Sequence, residues 1–267
     1  MLYLHIIKYA SFFIIKLYYI FYLINNIILY YMQYYIIIFI FIFLSFSFIN
    51  ILFYKEISDN KNNNIPKIIH QTAPKDNTKW HPVWNECQQT WLKYFPKPDY
   101  KHIMWHDEDL DNFVKNEFPF FYNNTYKLYN KNIKKIDTAR YLILYKYGGI
   151  YADMDYMCMK NFYDILPQNK ISISESPYKQ NEELQNALMI SPPNNTFWLD
   201  VIKLAEKRKD SNNILYSTGP QLLSTVYLQN KNKINVLPSQ LFNPHNKKEE
   251  FNNTNLYAKH FGTISWT

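Results

Sequence analysis

The stretch that decides the fold of this 267-residue chain is YGGIYADMDY, residues Tyr147 to Tyr156. Two glycines, a common stop signal for a helix, lead into a short apolar run that is typical of a buried strand. The strand ends at two acids, Asp153 and Asp155, with one residue between them. In open α/β sheets ligands bind beyond the carboxyl ends of the strands, so the two acids mark a candidate site.

The helix in front of this strand carries two more charged residues that the fold should bring to the same edge. A helix predicted from about Ile133 to Tyr147 contains Asp137 and Arg140 and should run antiparallel to the strand. Arg140 lies about 12 Å before the end of this helix, and Asp153 lies about 13 Å along the strand. We therefore expect Arg140 level with Asp153, and Asp137, one turn earlier, nearer to Asp155.

These four charged groups indicate a particular chemistry. Two carboxylates at a strand end offer hard oxygen ligands to Mg²⁺ or Mn²⁺, which fill their other positions with water and substrate phosphate. An acid beside an arginine can hold a hydroxyl-rich group. A nucleotide sugar meets all of these needs. An isolated Asp-x-Asp is common, and Asp137 with Arg140 also fits an ordinary intrahelical ion pair, so the ordered context carries the hypothesis.

The rest of the chain after residue 64 alternates short apolar runs with helical periodicity. Such alternation is typical of an α/β domain on a mainly parallel sheet. Helices are predicted over Phe197–Arg208, over Pro220–Gln229 and after a cap at Asp107. A further helix is predicted over 83–95, where the periodicity places an apolar face that includes Trp84. Strands are predicted at IPKIIHQT (65–72), YKHIMW (100–105), KISIS (170–174), NALMIS (186–191) and INVLP (234–238).

The N-terminus has a different character. No charged residue or histidine occurs between Lys16 and Lys55, and residues 34–54 are almost purely apolar. About 20 apolar residues suffice to cross a bilayer, and no small-residue cleavage site follows, so an uncleaved signal anchor is predicted. We therefore divide the chain into a membrane anchor (1–54), a polar linker (55–64) and a globular domain (65–267).

The number of membrane crossings stays open. His5, Lys8 and Lys16 fall on one stripe of an apolar helix, which fits either a segment lying in the membrane surface or a second span over 1–24. Lysines before and after the main span nearly balance, so the orientation is not determined by charge.

The composition bears on the class of partner, on the core and on the cysteines. The net charge of +7 comes from dispersed lysines and no nucleic-acid motif occurs, so we expect no nucleic-acid partner. Hydrophobic residues make up 48% of the chain, with 25 Tyr and 19 Phe, which is enough for a large core. The two cysteines, Cys87 and Cys158, are interpreted as buried thiols in preference to a disulfide.

Several segments resemble glycosyltransferase family 32, and together they cover residues 65–266. They are IPKIIHQT, W..C..TW, PDYKHIMWHDED, DTARYLILYKYGGIYADMD, NALMIS, STGP and a terminal H....SW. The family includes fungal initiation-type α-1,6-mannosyltransferases and inositol-phosphoceramide mannosyltransferases. The resemblance implies an A-type glycosyltransferase fold, Mn²⁺ or Mg²⁺, a nucleotide-sugar donor and retention of anomeric configuration. It favours GDP-mannose over a UDP-hexose as the donor.

The resemblance also assigns roles by position. Its implied catalytic residues are Asp137, Arg140, Asp153 and Asp155. Its implied metal ligands are Asp153, Asp155 and His260. Its implied donor-binding residues are His70, Gln71, Thr72, Asp137, Arg140, Tyr151, Asn186, Ser265 and Trp266. Two departures are Ala73, where many members have Trp, and Ala152, where a larger apolar residue is usual. Ala73 puts any stacking contact at that position in doubt.

The function predicted is a metal-dependent, retaining hexosyltransferase that transfers mannose by preference to a glycan or glycolipid acceptor. The alternative is a catalytically inactive membrane protein of the same fold that binds a glycan or a nucleotide sugar. An aspartate-nucleophile phosphatase is disfavoured because Met157 stands where that class has Thr or Val. A domain facing the Golgi or ER lumen is expected, with sequons at Asn123, Asn194 and Asn252.

Overall fold

The computed structural model describes residues 23, 25, 29, 31–36, 38–44, 64–178, 183–244 and 255–263. The chain divides into two compact units, Met1–Asn62 and Asn63–Thr267. The described residues of the first unit are helical and their side chains are exposed. Over the described part of the chain, no helix has both the length and the apolar character that a membrane crossing needs. Much of the predicted anchor and nearly all of the predicted linker lie outside the described residues.

The second unit is built on a six-stranded sheet with the strand order β2-β1-β3-β6-β5-β7. These strands are β1 (Ile68–Thr72), β2 (Lys101–Trp105), β3 (Gly149–Ala152), β5 (Ile171–Glu175), β6 (Leu184–Ser191) and β7 (Ile234–Leu237). A separate antiparallel pair is formed by β4 (Tyr156–Cys158) and β8 (Ala258–His260).

Strand direction follows the prediction except at one strand. β1 pairs in parallel with β2 and β3, and β5 pairs in parallel with β7. β6 runs antiparallel to both of its neighbours, β3 and β5. The reason is the short connection between β5 and β6, since a parallel pair would need a long crossover. The predicted mainly parallel α/β sheet is thus confirmed, with one reversed strand inside it.

The helices also follow the predicted pattern. They are α1 (Pro82–Tyr94), α2 (Asp107–Glu117), α3 (Pro119–Asn124), α4 (Asn132–Tyr147), α5 (Phe197–Lys207), α6 (Ile214–Ser217), α7 (Pro220–Leu228) and α8 (Ser239–Phe242). The predicted cap at Asp107 is wrong by one residue. His106 is the N-cap, and its backbone N–H donates to the carboxylate of Asp109 at 3.0 Å, while Asp107 is the first helical residue.

The two glycines between α4 and β3 are required by close backbone approaches. Gly148 has φ 63° and Gly149 has φ 93°, in the region that L side chains rarely adopt. A Cβ on Gly149 would lie 2.5 Å from the carbonyl oxygen of Ile68 in β1. The turn therefore lets β3 enter the sheet directly beside β1, and this placement fixes where the residues after β3 emerge.

Burial around this turn is nearly complete. Every residue of β3 is buried, and α4 buries an unbroken stretch from Asp137 to Leu144 that includes two charged side chains. Both cysteines are free and buried, which confirms the thiol interpretation. Burial raises the pKa of Cys87 to about 12, so this thiol stays protonated and unreactive at neutral pH.

Candidate active site

Arg140 joins the helix to the strand end, as the matched lengths predict. Its Nη1 lies 3.0 Å from Oδ1 of Asp153, and its Nη2 lies 3.3 Å from Oδ1 of Asp137. Nη1 also donates to the backbone carbonyl of Asn186 at 3.0 Å. The side chain of Arg140 is only 4% exposed, whereas that of Asp153 is 25% exposed. The guanidinium group thus holds two carboxylates together from below the surface.

Asp137 is held by partners that the sequence did not reveal. Its Oδ1 accepts a hydrogen bond from Asn186 Nδ2 at 2.9 Å, and its Oδ2 accepts one from Thr218 Oγ1 at 2.9 Å. We expected Asp137 nearer to Asp155, but its contacts run to β6 and to the residue after α6. Burial raises the pKa of Asp137, and the charge of Arg140 opposes that rise.

Asp153 receives a further hydrogen bond from its own strand. The Tyr151 hydroxyl donates to Asp153 Oδ1 at 2.7 Å and accepts from Thr72 Oγ1 at 2.9 Å. The Tyr151 ring lies 4.8 Å from Cζ of Arg140, a distance suited to a cation–π contact. Burial raises the pKa of Asp153, and Arg140 counteracts this. Tyr151 therefore positions the first acid of the Asp-x-Asp.

Asp155 is held by the C-terminal strand. Its Oδ1 lies 3.1 Å from Nε2 of His260, and its Oδ2 accepts from the backbone N–H and the hydroxyl of Thr263 at 2.7 and 3.0 Å. Burial acts to raise the pKa of Asp155, but the hydrogen bonds and charge of His260, with Thr263, lower it to about 2. Burial acts to lower the pKa of His260, and Asp155 raises it.

Three of these side chains form a candidate metal centre. One ligand atom each from Asp153, Asp155 and His260 lies within 4.8 Å of the others. Two carboxylate oxygens and an imidazole nitrogen suit Mn²⁺, and Mg²⁺ suits the carboxylates. The donor set therefore fits the divalent cation that the resemblance implies.

The site opens into a cavity of about 900 Å³. This volume is at the upper end of the range of about 300–1,000 Å³ for small-ligand sites. Seven of the predicted site residues line it: Thr72, Asp137, Arg140, Asp153, Asp155, Asn186 and His260. The cavity thus combines the candidate metal centre with the Asp137–Arg140 pair in one space.

Of the five remaining predicted residues, three are described, and none of these three lines the cavity. Gln71 and Tyr151 are buried and do not line the cavity. Ser265 and Trp266 lie outside the described residues.

His70 is fully buried beneath the turn that follows α4. Its Nε2 donates to the carbonyl of Gly148 at 3.0 Å, and its Nδ1 accepts from Trp105 Nε1 at 3.1 Å. Burial lowers the pKa of His70 to about 4, so the ring is neutral. Thr72, at the end of β1, lines the cavity, whereas Gln71, one residue earlier, is buried. The structure does not bring His70 to the cavity.

Sequence reasoning missed three residues in contact with the site. Thr218 holds Asp137, Thr263 holds Asp155, and Trp84 Nε1 donates to the Thr263 hydroxyl at 3.1 Å. The periodicity of α1 identified Trp84 as a core residue, and STGP drew attention to Thr218. No pattern in the sequence marks Thr263.

Fold and site together define an α/β enzyme-like domain with its ligand cavity at the carboxyl edge of parallel strands. The profile of the family described as "Glycosyltransferase sugar-binding region containing DXD motif" matches residues 82–172. An uncharacterized glycosyltransferase of Acanthamoeba polyphaga mimivirus is 31% identical over 222 residues, or 76% of this chain and 84% of that protein. The chain belongs to this family of DXD-containing glycosyltransferases, which confirms the resemblance.

Other relatives are longer than this chain. The mannosyl phosphorylinositol ceramide synthase CSH1 of Saccharomyces cerevisiae is 36% identical over 177 residues, or 62% of this chain and 43% of that protein. The chain thus spans less than half the length of this curated relative. Among solved structures, the glycosyltransferase PaToxG is similar with a TM-score of 0.47 and 18% identity, over 66% of this chain and 76% of that chain.

Proposed function

We propose that this chain is a metal-dependent, retaining hexosyltransferase that transfers mannose from GDP-mannose to a glycan or glycolipid acceptor. The observation that carries the proposal is the cluster of Asp153, Asp155 and His260 on the wall of a large cavity, beside Asp137 and Arg140. The yeast relative, a mannosyl phosphorylinositol ceramide synthase by name, supports mannose as the sugar. UDP-galactose and UDP-glucose are the alternative donors.

The metal would be held by Asp153, Asp155 and His260. A bound Mn²⁺ or Mg²⁺ stabilises the negative charge that develops on a diphosphate leaving group. The protein contributes a fixed orientation of the two carboxylates, since Tyr151 and Arg140 hold Asp153 from below. Such supporting contacts keep the metal-ligating side chains in place and are part of the site.

Asp137 positions the donor sugar in this proposal. Its carboxylate lies against the cavity and accepts hydrogen bonds, which suits sugar hydroxyls. Arg140, Asn186 and Thr218 already engage both of its oxygens, so it is poorly placed to take a proton from an acceptor. The acceptor's proton is then taken by the leaving phosphate during attack on the same face of the sugar.

We also propose that residues 1–54 anchor the protein in a membrane, with the second unit in the lumen of the secretory pathway. The apolar side chains described between 31 and 44 are exposed, as those of a lipid-facing helix are. Two sequon asparagines, Asn123 and Asn194, are exposed on the second unit. Both observations support this arrangement.

A donor screen tests the proposed function. The purified full-length protein is incubated with Mn²⁺ and each nucleotide sugar in turn, and the released nucleoside diphosphate is measured. GDP release from GDP-mannose that stops on adding EDTA is expected. Release of UDP from a UDP-hexose, with no release of GDP from GDP-mannose, would identify the UDP-hexose as the donor instead. Absence of release from every nucleotide sugar, in a folded protein that binds them, would favour a binding protein of the same fold.

A further inference from the structure

Two residues outside the predicted site hold the second acid of the Asp-x-Asp. Thr263 donates both its backbone N–H and its hydroxyl to the same oxygen of Asp155, Oδ2. The hydroxyl itself accepts a hydrogen bond from Trp84 Nε1 at 3.1 Å. A continuous chain of hydrogen bonds therefore runs from the start of α1, through the C-terminal segment, to Asp155.

This series of hydrogen bonds fixes which oxygen of Asp155 faces His260. With Oδ2 held by two donors, Oδ1 is the oxygen that lies 3.1 Å from His260 Nε2. Rotation of the carboxylate would break both bonds to Thr263. Asp155 is only 7% exposed, so water cannot readily replace a lost donor. The side chain is thus restrained in one orientation before any cation arrives.

The backbone supports the same arrangement from the C-terminal side. β8 pairs with β4 so that His260 lies opposite Tyr156, the residue after Asp155. Phe261 N–H donates to the carbonyl of Asp155 at 3.0 Å. The backbone therefore sets the position of the C-terminal segment, and the side chains of Trp84 and Thr263 set the orientation of the carboxylate.

We infer that Trp84 and Thr263 form a positioning pair that orients Asp155 for the divalent cation and joins α1 and the C-terminal segment to the metal centre. The inference rests on the proposed metal dependence and adds two residues to which the sequence analysis gave no role in the site. Neither side chain is offered as a metal ligand. Their contribution is to hold the Asp155 carboxylate in one orientation, so that this side chain has less freedom to lose when a cation binds.

Direct binding of Mn²⁺ tests the pair without using turnover. The full-length protein is purified in mild detergent, and free Mn²⁺ is followed by electron paramagnetic resonance in the absence of nucleotide. Thr263→Val removes the hydroxyl but keeps the backbone N–H. Trp84→Phe removes the indole N–H donor and keeps an aromatic ring of smaller size. Each is expected to weaken Mn²⁺ binding about 10-fold, the lower end of the range for outer-shell partners.

Two matched controls separate positioning from general damage. Thr263→Ser keeps the hydroxyl and should bind Mn²⁺ like the wild type. Trp80→Phe removes an indole N–H that donates to the carbonyl of Pro74 at 2.8 Å, in place of Thr263, and should also bind like the wild type. Melting temperatures measured without metal show whether each variant is folded.

The outcomes are distinguishable. Weaker binding by folded Thr263→Val and Trp84→Phe, with normal binding by both controls, supports the inference. Equal affinity of the wild type and Thr263→Val overturns the pair alone and leaves the metal centre in place. A wild type that binds no Mn²⁺ overturns the proposed metal centre, and the inference falls with it.

Discussion

At the scale of single residues, Arg140 is where the charges of the site converge. Its guanidinium group contacts Asp137 and Asp153 while being nearly inaccessible to water, and its Nε has no hydrogen-bond partner among the described residues. A buried ion pair of this kind contributes little net stability, because desolvation offsets the Coulombic attraction. Its value lies in holding two carboxylates at fixed positions on the cavity wall.

His70 gives a prediction about pH. Its pKa falls from 6.5 in the unfolded chain to about 4 in the folded protein. Between these two values the unfolded state binds a proton that the folded state does not, so stability falls as the pH falls from 6.5 towards 4. The stability lost across this window is about 3 kcal/mol from His70.

Urea unfolding of the wild type and of His70→Gln, from pH 4 to pH 7, measures this contribution. Gln offers a donor and an acceptor but does not titrate, so its stability should depend less on pH across the window. An equal dependence of the unfolding free energy on pH in the two proteins would contradict the assignment of a buried, neutral His70.

At the scale of elements, the turn between α4 and β3 is a sensitive point of the fold. Gly149→Ala adds strain at a positive φ and places a Cβ 2.5 Å from the Ile68 carbonyl, so β3 must move away from β1. We expect a loss of more than about 3 kcal/mol of unfolding free energy, or failure to fold.

Gly262→Ala is the matched control for this prediction. Gly262 also has a positive φ, 62°, but a Cβ there meets no atom of the described residues within 4 Å. Only the strain remains, and it costs about 1 kcal/mol. Chemical denaturation compares the two variants. Equal, small losses would show that β1 and β3 tolerate the added methyl group.

How far the sequence predicted the elements depended on how local each signal was. The Gly-Gly stop, the buried run and the acids lie next to one another in the chain, so the Arg140–Asp153 contact followed from two element lengths. The reversal of β6 follows from its short connection to β5, but its insertion between β5 and β3 depends on a contact between distant segments and left no local pattern. The same is true of Thr218 and Thr263, which reach the acids only after folding.

At the scale of the whole molecule, the sequons test the proposed lumenal location. Asn123 and Asn194 are exposed, and Asn252 lies outside the described residues. Expression in a eukaryotic cell should give a protein whose mobility shifts on glycosidase digestion, and this shift should disappear when the three asparagines are changed to Gln. Full protease sensitivity in sealed microsomes, with no glycan, would contradict the proposal and fit a two-span hairpin with a cytosolic domain.

The central claim is that a divalent cation at Asp153, Asp155 and His260 makes the cavity a site for sugar transfer from a nucleotide sugar. The most direct measurement is a Mn²⁺ titration of GDP release from GDP-mannose by the wild type and by Asp155→Ala. The wild type should show a saturable dependence on Mn²⁺, and Asp155→Ala should lose at least about 100-fold in rate because the diphosphate loses its metal bridge. Near-wild-type turnover by a folded Asp155→Ala protein would contradict the account.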